Sequence, residues 1–289
     1  MAELPFVDTH VHLSDLRAPQ LKYVWLQPEF VHPVLGDIGA IQAQRYWADD
    51  FLRETRFQNV ARTVHVQAAL GIADPVEETR WLQAFADRLG HPHGIVGEVH
   101  LARPDAAEVI DRHMAFANFR GVRDFGSGDY PSDRNWRRGF ANLAKYGLVA
   151  CLDSSPETYA SIKSLAKAFP HIVISLDHAG FPRRRDGEYF AFWKRELMNL
   201  AEMSNVMIKI SGLGMCDNNW TVDSLRPWVM TCIETFGVGR SFFGTNWPVD
   251  RMYSSYGDVL NAYAELISGF SGEEQVALFS GNAQRIFRV

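Results

Sequence analysis

The chain has 289 residues, of which 47% are hydrophobic and 22% are charged, and its formal net charge at pH 7 is −5. This is the composition of an ordinary globular protein, and a chain of this length can bury a large core. The acidic balance and the lack of a long basic stripe argue against nucleic acid or an acidic membrane surface as the main partner. No run of about 18 apolar residues occurs, so we expect no transmembrane span.

The cysteines indicate a reducing compartment. Cys151, Cys216 and Cys232 are widely spaced, and an odd number without a Cys-x-x-Cys pair is typical of reduced thiols. No signal segment precedes the first apolar run, so we expect a cytoplasmic protein. A homo-oligomer is compatible with these features.

Apolar runs alternate with amphipathic stretches along the whole chain. Short runs rich in Val, Ile and Phe are typical of strands buried on both faces. The predicted strands are 5–12, 61–68, 94–101, 120–125, 148–153, 172–178, 206–211 and 241–246. The predicted helices are 75–85, 105–116, 136–146, 156–169, 189–203, 222–236 and 256–267. Gly147 and Gly237 stand where helix C-caps are expected.

Strands separated by helices predict a parallel sheet, and eight such strands close a (β/α)8 barrel. We therefore expect residues 1–289 to form a single TIM-barrel domain, with an open doubly wound sheet as the alternative. The long segment 13–57 joins the first two strands. We expect it to form a loop over the barrel mouth, followed by a helix from about residue 38.

The first strand ends in a His-x-His pair. Side chains alternate along a strand, so His10 and His12 point the same way, with Cα atoms about 6–7 Å apart. Two imidazoles at this spacing can converge on one metal ion or on one substrate.

Polar residues recur at the ends of the other predicted strands. Function in a barrel lies at these C-terminal ends, and unpartnered buried charge is costly, so packing alone explains the pattern poorly. The residues are His65, Gln67, Glu98, His100, Arg123, Asp124, Asp153, Asp177, His178, Lys209, Ser211 and Asn246, with Asp250 shortly after.

Five motifs occur in an order that resembles the amidohydrolase superfamily, in the amidohydrolase-related branch with sugar-lactone and pyrone-dicarboxylate lactone hydrolases. The resemblance covers nearly the whole chain. The motifs are His10-x-His12, Gly121-Val122-Arg123, Leu176-Asp177-His178-Ala179-Gly180-Phe181-Pro182, Lys209-Ile210-Ser211-Gly212-Leu213 and Phe243-Gly244-Thr245-Asn246-Trp247-Pro248-Val249-Asp250.

The resemblance implies that His10 and His12 bind a divalent metal or the substrate, and that His178 lies beside the scissile carbonyl. A strand-8 aspartate normally ligates the metal and takes a proton from water, but Asn246 stands at that place here. An amide has no useful basicity, so Asn246 can orient a water but cannot act as a general base.

Other groups can take over the missing role. His178 can act as base if neutral, and Asp250 lies four residues beyond Asn246. Glu98 or Asp153 can complete a three-ligand open site with the histidine pair, suited to one Zn²⁺ or Mn²⁺, with a metal-free site as the alternative. Asp153 can instead cap the following helix.

Substrate contacts are expected from four further residues. Arg123 suits an anionic group or serves a salt bridge, and Lys209 binds substrate or pairs with Asp177 or Glu98. Tyr23 and Trp25 stack on a ring or cover an apolar edge.

The sequence thus predicts a lactone hydrolase acting on a small acidic or polyhydroxylated molecule. The alternatives are a metal-dependent decarboxylase of an aromatic or dienoic acid, and a catalytically silent barrel that binds a small ligand.

Overall fold

The computed structural model describes residues 4–30, 35–126 and 128–289. Its centre is an eight-stranded parallel sheet in which each strand pairs with the next along the chain. The strands are β1 (Phe6–Val11), β2 (Val60–Val66), β3 (Gly94–Glu98), β4 (Phe119–Arg123), β5 (Val149–Leu152), β6 (Ile174–Leu176), β7 (Val206–Ile210) and β8 (Ser241–Phe243). Val11 bridges to Trp247, and the His12 N–H donates to the Trp247 carbonyl at 2.7 Å, so the ends of the sheet meet. The predicted barrel is confirmed.

Helices follow the strands, as predicted. They are α1 (Ala48–Glu54), α2 (Val76–Leu89), α3 (Ala106–His113), α4 (Arg134–Phe140), α5 (Tyr159–Ala168), α6 (Gly187–Ala201), α7 (Val222–Phe236), α8 (Tyr256–Leu266), α9 (Gly272–Val276) and α10 (Asn282–Phe287). A 3-10 segment, Ala141–Tyr146, extends α4 to Gly147, whose left-handed φ of 59° ends it as expected of a glycine. Within the described ranges, no helix is long and apolar enough to cross a membrane.

Apolar side chains fill the inside of the barrel toward the end that α10 covers. Val7, Val64, Val96 and Phe242 pack there against Phe287 of α10. Arg288 donates to the carbonyl of Gly147, just before β5, so the end of the chain covers this end of the barrel. The opposite end, at the strand C-termini, stays free for side chains that carry chemistry.

The β1–β2 connection lies over that opposite end. Its Tyr23 and Ile41 pack with Ala69, after β2, and with Val249, after β8. The helix expected from about residue 38 begins later than predicted. Arg45–Tyr46 is extended because it pairs with Ser14–Asp15, and α1 starts only where Asp50 caps the Trp47 N–H at 3.0 Å.

Candidate active site

A cavity of about 410 Å³ opens at the C-terminal ends of the strands. Side chains from most of the barrel's loops reach it, and they divide into a polar and an apolar group. The polar group is His12, Gln67, Arg123, Asp153, Ser154, His178, Arg183 and Asn246.

Three histidines cluster at this end of the barrel. The ring centroid of His10 lies 4.9 Å from that of His12 and 4.5 Å from that of His178. The Nδ1 of His12 lies 2.8 Å from the carbonyl of Val66, and because a carbonyl only accepts, Nδ1 carries the proton and Nε2 the lone pair. Burial, with neighbouring cationic groups, holds the pKa values of His10 and His12 well below their usual range. Both rings are therefore neutral at pH 7.

His178 follows β6 and faces the cavity. Its Nδ1 lies 3.0 Å from Ser211 Oγ, and its Nε2 lies 3.6 Å from Asp153 Oδ1. Burial lowers the pKa of His178, although Asp153 and Asp177 oppose the shift. A neutral imidazole beside a carboxylate can accept a proton and have the resulting cation stabilised.

The backbone of His178 begins a left-handed turn. His178, Ala179, Gly180 and Phe181 all have positive φ, between 53° and 69°, and the left-handed conformation costs about 1–2 kcal/mol for each residue with a Cβ. The Trp193 indole N–H donates to the Ala179 carbonyl at 3.0 Å, and the Tyr159 hydroxyl donates to the Gly180 carbonyl. These bonds hold the turn, which directs the imidazole into the cavity.

Arg123 and Asp153 form an ion pair on the cavity wall. Burial opposes ionisation of Asp153, but the Arg123 guanidinium and His178 lower the pKa of this carboxyl below its usual value. The Nε of Arg123 is buried and has no hydrogen-bond partner in the described part of the chain. A buried cationic N–H without a partner is suited to an oxygen of a bound molecule.

Asp177 and Lys209 form a second ion pair, and both side chains are fully buried. Lys209 Nζ lies 3.0 Å from Asp177 Oδ1, while Asp177 Oδ2 lies 3.6 Å from Nδ1 of His10. Lys209 therefore neutralises a carboxylate beneath the histidines. This geometry favours pairing of Lys209 with Asp177 over the predicted substrate contact.

Asn246 and Asp250 act together at the end of β8. Asn246, with a φ of 60°, lines the cavity and donates from Nδ2 to Asp250 Oδ2 at 2.8 Å. The other oxygen of Asp250 accepts the Gly214 N–H at 3.2 Å. Burial raises the pKa of Asp250 to about 7. The carboxylate thus lies behind the amide and fixes it, leaving the Asn246 Oδ1 acceptor for the cavity.

Two other predicted site residues lie elsewhere. Glu98 is buried with its carboxylate 3.9 Å from His100 Nε2, and burial raises its pKa to about 7. Tyr23 is 1% exposed and packs in the apolar cluster under the first connection, whereas Trp25 lines the cavity. Alternation places Glu98 and His100 on one face, but it does not fix whether that face meets His10 and His12. The sequence gives no direction for a loop side chain such as Tyr23.

Other cavity residues were not predicted as site residues. Phe125 and Phe181 line the cavity. Phe125 lies two residues after the Gly121-Val122-Arg123 motif and Phe181 lies within the Leu176–Pro182 motif, which is the signal that could have found them. Ser211, for which the sequence predicts only a place at a strand end, is the hydrogen-bond partner of His178.

The resemblance also implies a divalent metal, which needs several donor side chains around one point. Over residues 4–30, 35–126 and 128–289, no group of three or more His, Cys, Asp or Glu side chains is placed to hold an ion. The carboxylates nearest the histidines are paired with cations, Asp153 with Arg123 and Asp177 with Lys209. The proposed ligands His10, His12, Glu98 and Asp153 thus do not converge, and the residues as folded do not fit a three-ligand site.

Comparison with known proteins places this barrel in a family. The family model described as amidohydrolase (Amidohydro_2) matches residues 7–289. The uncharacterized protein y4mH of Sinorhizobium fredii is 38% identical over 302 residues, covering 100% of both chains. An L-fucono-1,5-lactonase of Burkholderia ambifaria is 29% identical over 245 residues, covering 80% of this chain and 81% of that one. A crystal structure of a Burkholderia multivorans amidohydrolase with bound zinc has a TM-score of 0.84 at 24% identity, covering 99% of each chain. The chain belongs to the amidohydrolase family, and these matches support a hydrolase.

Proposed function

We propose that this member of the amidohydrolase family hydrolyses a lactone, with His178 as the general base. The observation that carries the proposal is the environment of His178. Its imidazole is buried, and burial lowers its pKa, so the ring is neutral at pH 7. We assign the proton of His178 to Nδ1, which then donates to Ser211 Oγ at 3.0 Å and leaves the lone pair on Nε2. Asp153 Oδ1 lies 3.6 Å from this Nε2. The lactonase activity of the Burkholderia ambifaria relative supports the same reaction class.

In the proposed reaction, water attacks the lactone carbonyl carbon while His178 Nε2 takes a proton from it. The tetrahedral intermediate then collapses, the ring C–O bond breaks, and His178 returns the proton to the departing oxygen. Asp153 stabilises the intermediate imidazolium by charge. An ester carbonyl is electrophilic enough for a base of this strength.

Three other residues orient the reactants. Asn246 presents Oδ1 to the attacking water, because Asp250 occupies its Nδ2. Arg123, with an unpartnered Nε–H, binds an anionic or hydroxyl group of the substrate. His12 accepts a hydrogen bond from the substrate at Nε2. No step is assigned to a metal ion, because the nearest carboxylates are already paired with Arg123 and Lys209.

The test is a panel of lactones and aryl carboxylates assayed for acid release and for CO2. We expect lactone hydrolysis that falls by about 10²–10⁴-fold in His178→Gln, as for loss of a general base. His171→Gln, at an exposed histidine, is the matched control and should retain full activity. Dialysis against a chelator, checked by elemental analysis, should leave the activity in place. CO2 release without acid release, or full activity of His178→Gln, would contradict the proposal.

A further inference from the structure

Apolar side chains also line the cavity, and the proposed reaction does not use them. We propose that the substrate is a lactone bearing an apolar substituent, alkyl or aryl, rather than a polyhydroxylated ring. This rests on the proposed lactone hydrolysis and specifies its substrate. The surface that would receive the substituent, termed the apolar wall, consists of Trp25, Leu70, Phe125, Phe181, Met215 and Val249.

Trp25 shows how the wall is built. Its indole N–H donates to the Ala68 carbonyl at 2.7 Å, so the side chain's one polar atom is already engaged. What remains for a ligand is the apolar ring, whose centroid lies 6.2 Å from that of His12. An apolar surface therefore stands directly beside the polar part of the cavity.

Phe125 and Phe181 extend the wall from two other loops. The Arg123 guanidinium lies 4.1 Å from the ring centroid of Phe125, and that of Arg183 lies 5.0 Å from the ring of Phe181. Phe181 is also 5.9 Å from the ring of His178. Phe125 is 45% exposed, a large apolar surface that a bound apolar group would remove from water.

The wall cannot satisfy a ring of hydroxyl groups. Leu70 and Val249 have no hydrogen-bonding side-chain atoms, and the thioether of Met215 is a weak acceptor. A hydroxyl buried against them would lose its water partners without replacement, which is unfavourable. An alkyl or aryl group there gains from burial, because each buried methylene improves binding by up to roughly fourfold.

The experiment compares kcat/KM for unsubstituted δ-valerolactone, δ-decalactone with its pentyl chain, 3,4-dihydrocoumarin and L-fucono-1,5-lactone. We expect δ-decalactone to exceed δ-valerolactone by at least about tenfold, since several methylenes become buried. L-Fucono-1,5-lactone should be the poorest substrate.

Variants then locate the preference. Phe125→Ala should reduce the δ-decalactone to δ-valerolactone ratio by about fivefold, because part of the wall is lost. Phe57→Ala is the matched control: Phe57 is 75% exposed and also lies under a guanidinium, that of Arg56 at 4.4 Å, but it contributes nothing to the wall. Its ratio should equal that of the unmodified protein, with thermal unfolding showing that both variants fold.

The outcomes separate the two proposals. Hydrolysis of lactones with equal rates, or with the sugar lactone preferred, overturns the apolar substituent and leaves lactone hydrolysis intact. An unchanged ratio in Phe125→Ala likewise overturns the role of the wall. Failure to hydrolyse any lactone overturns the proposed function and, with it, this inference.

Discussion

Replacing Asp250 with asparagine tests whether this carboxylate holds the Asn246 amide in one orientation. One oxygen of Asp250 accepts from Asn246 Nδ2 at 2.8 Å and the other accepts from the Gly214 N–H at 3.2 Å. Asn246 and Asp250 are almost completely buried, with 2% and 3% of their surfaces exposed. An asparagine at position 250 has only one acceptor oxygen, so it must turn its NH2 group toward one of these two donors. The Asn246 amide can avoid that clash by flipping, which directs its NH2 group to the cavity.

The size of the effect follows from the bond that is lost. A hydrogen bond to a charged group contributes about 1.5–3 kcal/mol. If that energy is lost from the transition state, kcat/KM falls by about 10- to 150-fold at 1.36 kcal/mol per factor of ten. The fall should be mainly in kcat, because Asn246 is proposed to orient water. Steady-state hydrolysis at pH 8, with the best lactone of the panel, measures it.

The control is Asp223→Asn, at a carboxylate whose side chain is 92% exposed in the first turn of α7. It makes the same chemical change away from the cavity and should leave kcat/KM unchanged. Activity of Asp250→Asn within about twofold of the unmodified protein, with normal thermal unfolding, would refute the orientation argument.

The rate should also depend on the protonation of Asp250. Burial raises the pKa of Asp250 to about 7 although its hydrogen bonds oppose the shift. Below that pH the carboxyl is protonated and can donate to Asn246 Oδ1, so kcat/KM should fall on the acid side of about pH 7. In Asp250→Asn this fall in kcat/KM below about pH 7 should be absent. The stability effect has the opposite sign: a raised carboxyl pKa stabilises the fold fully below about pH 3.8, and this contribution is lost as the pH rises through 7.

Three further changes probe the surroundings of the site. Lys209→Met should lower the free energy of unfolding by about 3–5 kcal/mol in urea titrations, because Asp177 is left as a buried unpaired charge; the loss of less than about 1 kcal/mol would contradict the buried pair. Tyr159→Phe removes the bond to the Gly180 carbonyl and should cost about 0.5–1.5 kcal/mol of stability together with a fall in kcat; an unchanged kcat would show that the left-handed turn does not depend on this bond. Glu98→Gln should flatten the loss of stability between about pH 4.5 and 7, because the buried carboxyl with its pKa raised from 4.5 to about 7 is removed; an unchanged slope in pH-dependent unfolding would show that Glu98 does not titrate there.

Strand and helix order could be predicted because alternation of apolar runs and amphipathic stretches is a local signal. Closure of the barrel is not a local signal, because eight strands in chain order also allow an open sheet, and it rests on the bridge between Val11 of β1 and Trp247 after β8. Side-chain partners were harder to predict. The sequence allows Lys209 to bind substrate or to pair with Asp177 or Glu98, and the choice depends on the register of the strands, which spacing alone does not fix.

The replacement of the usual strand-8 aspartate was visible in the sequence, but its consequence depended on geometry. Asn246 and Asp250 are four residues apart, and only the fold shows that the amide lies between the carboxylate and the cavity. In that position the carboxylate can fix the amide, but an amide does not relay a proton as a base does. We therefore assign proton transfer to His178. The orientation of the His178 imidazole depends on a left-handed turn that no apolar periodicity predicts. The left-handed turn costs conformational energy, and hydrogen bonds from Tyr159 and Trp193 on neighbouring helices offset that cost.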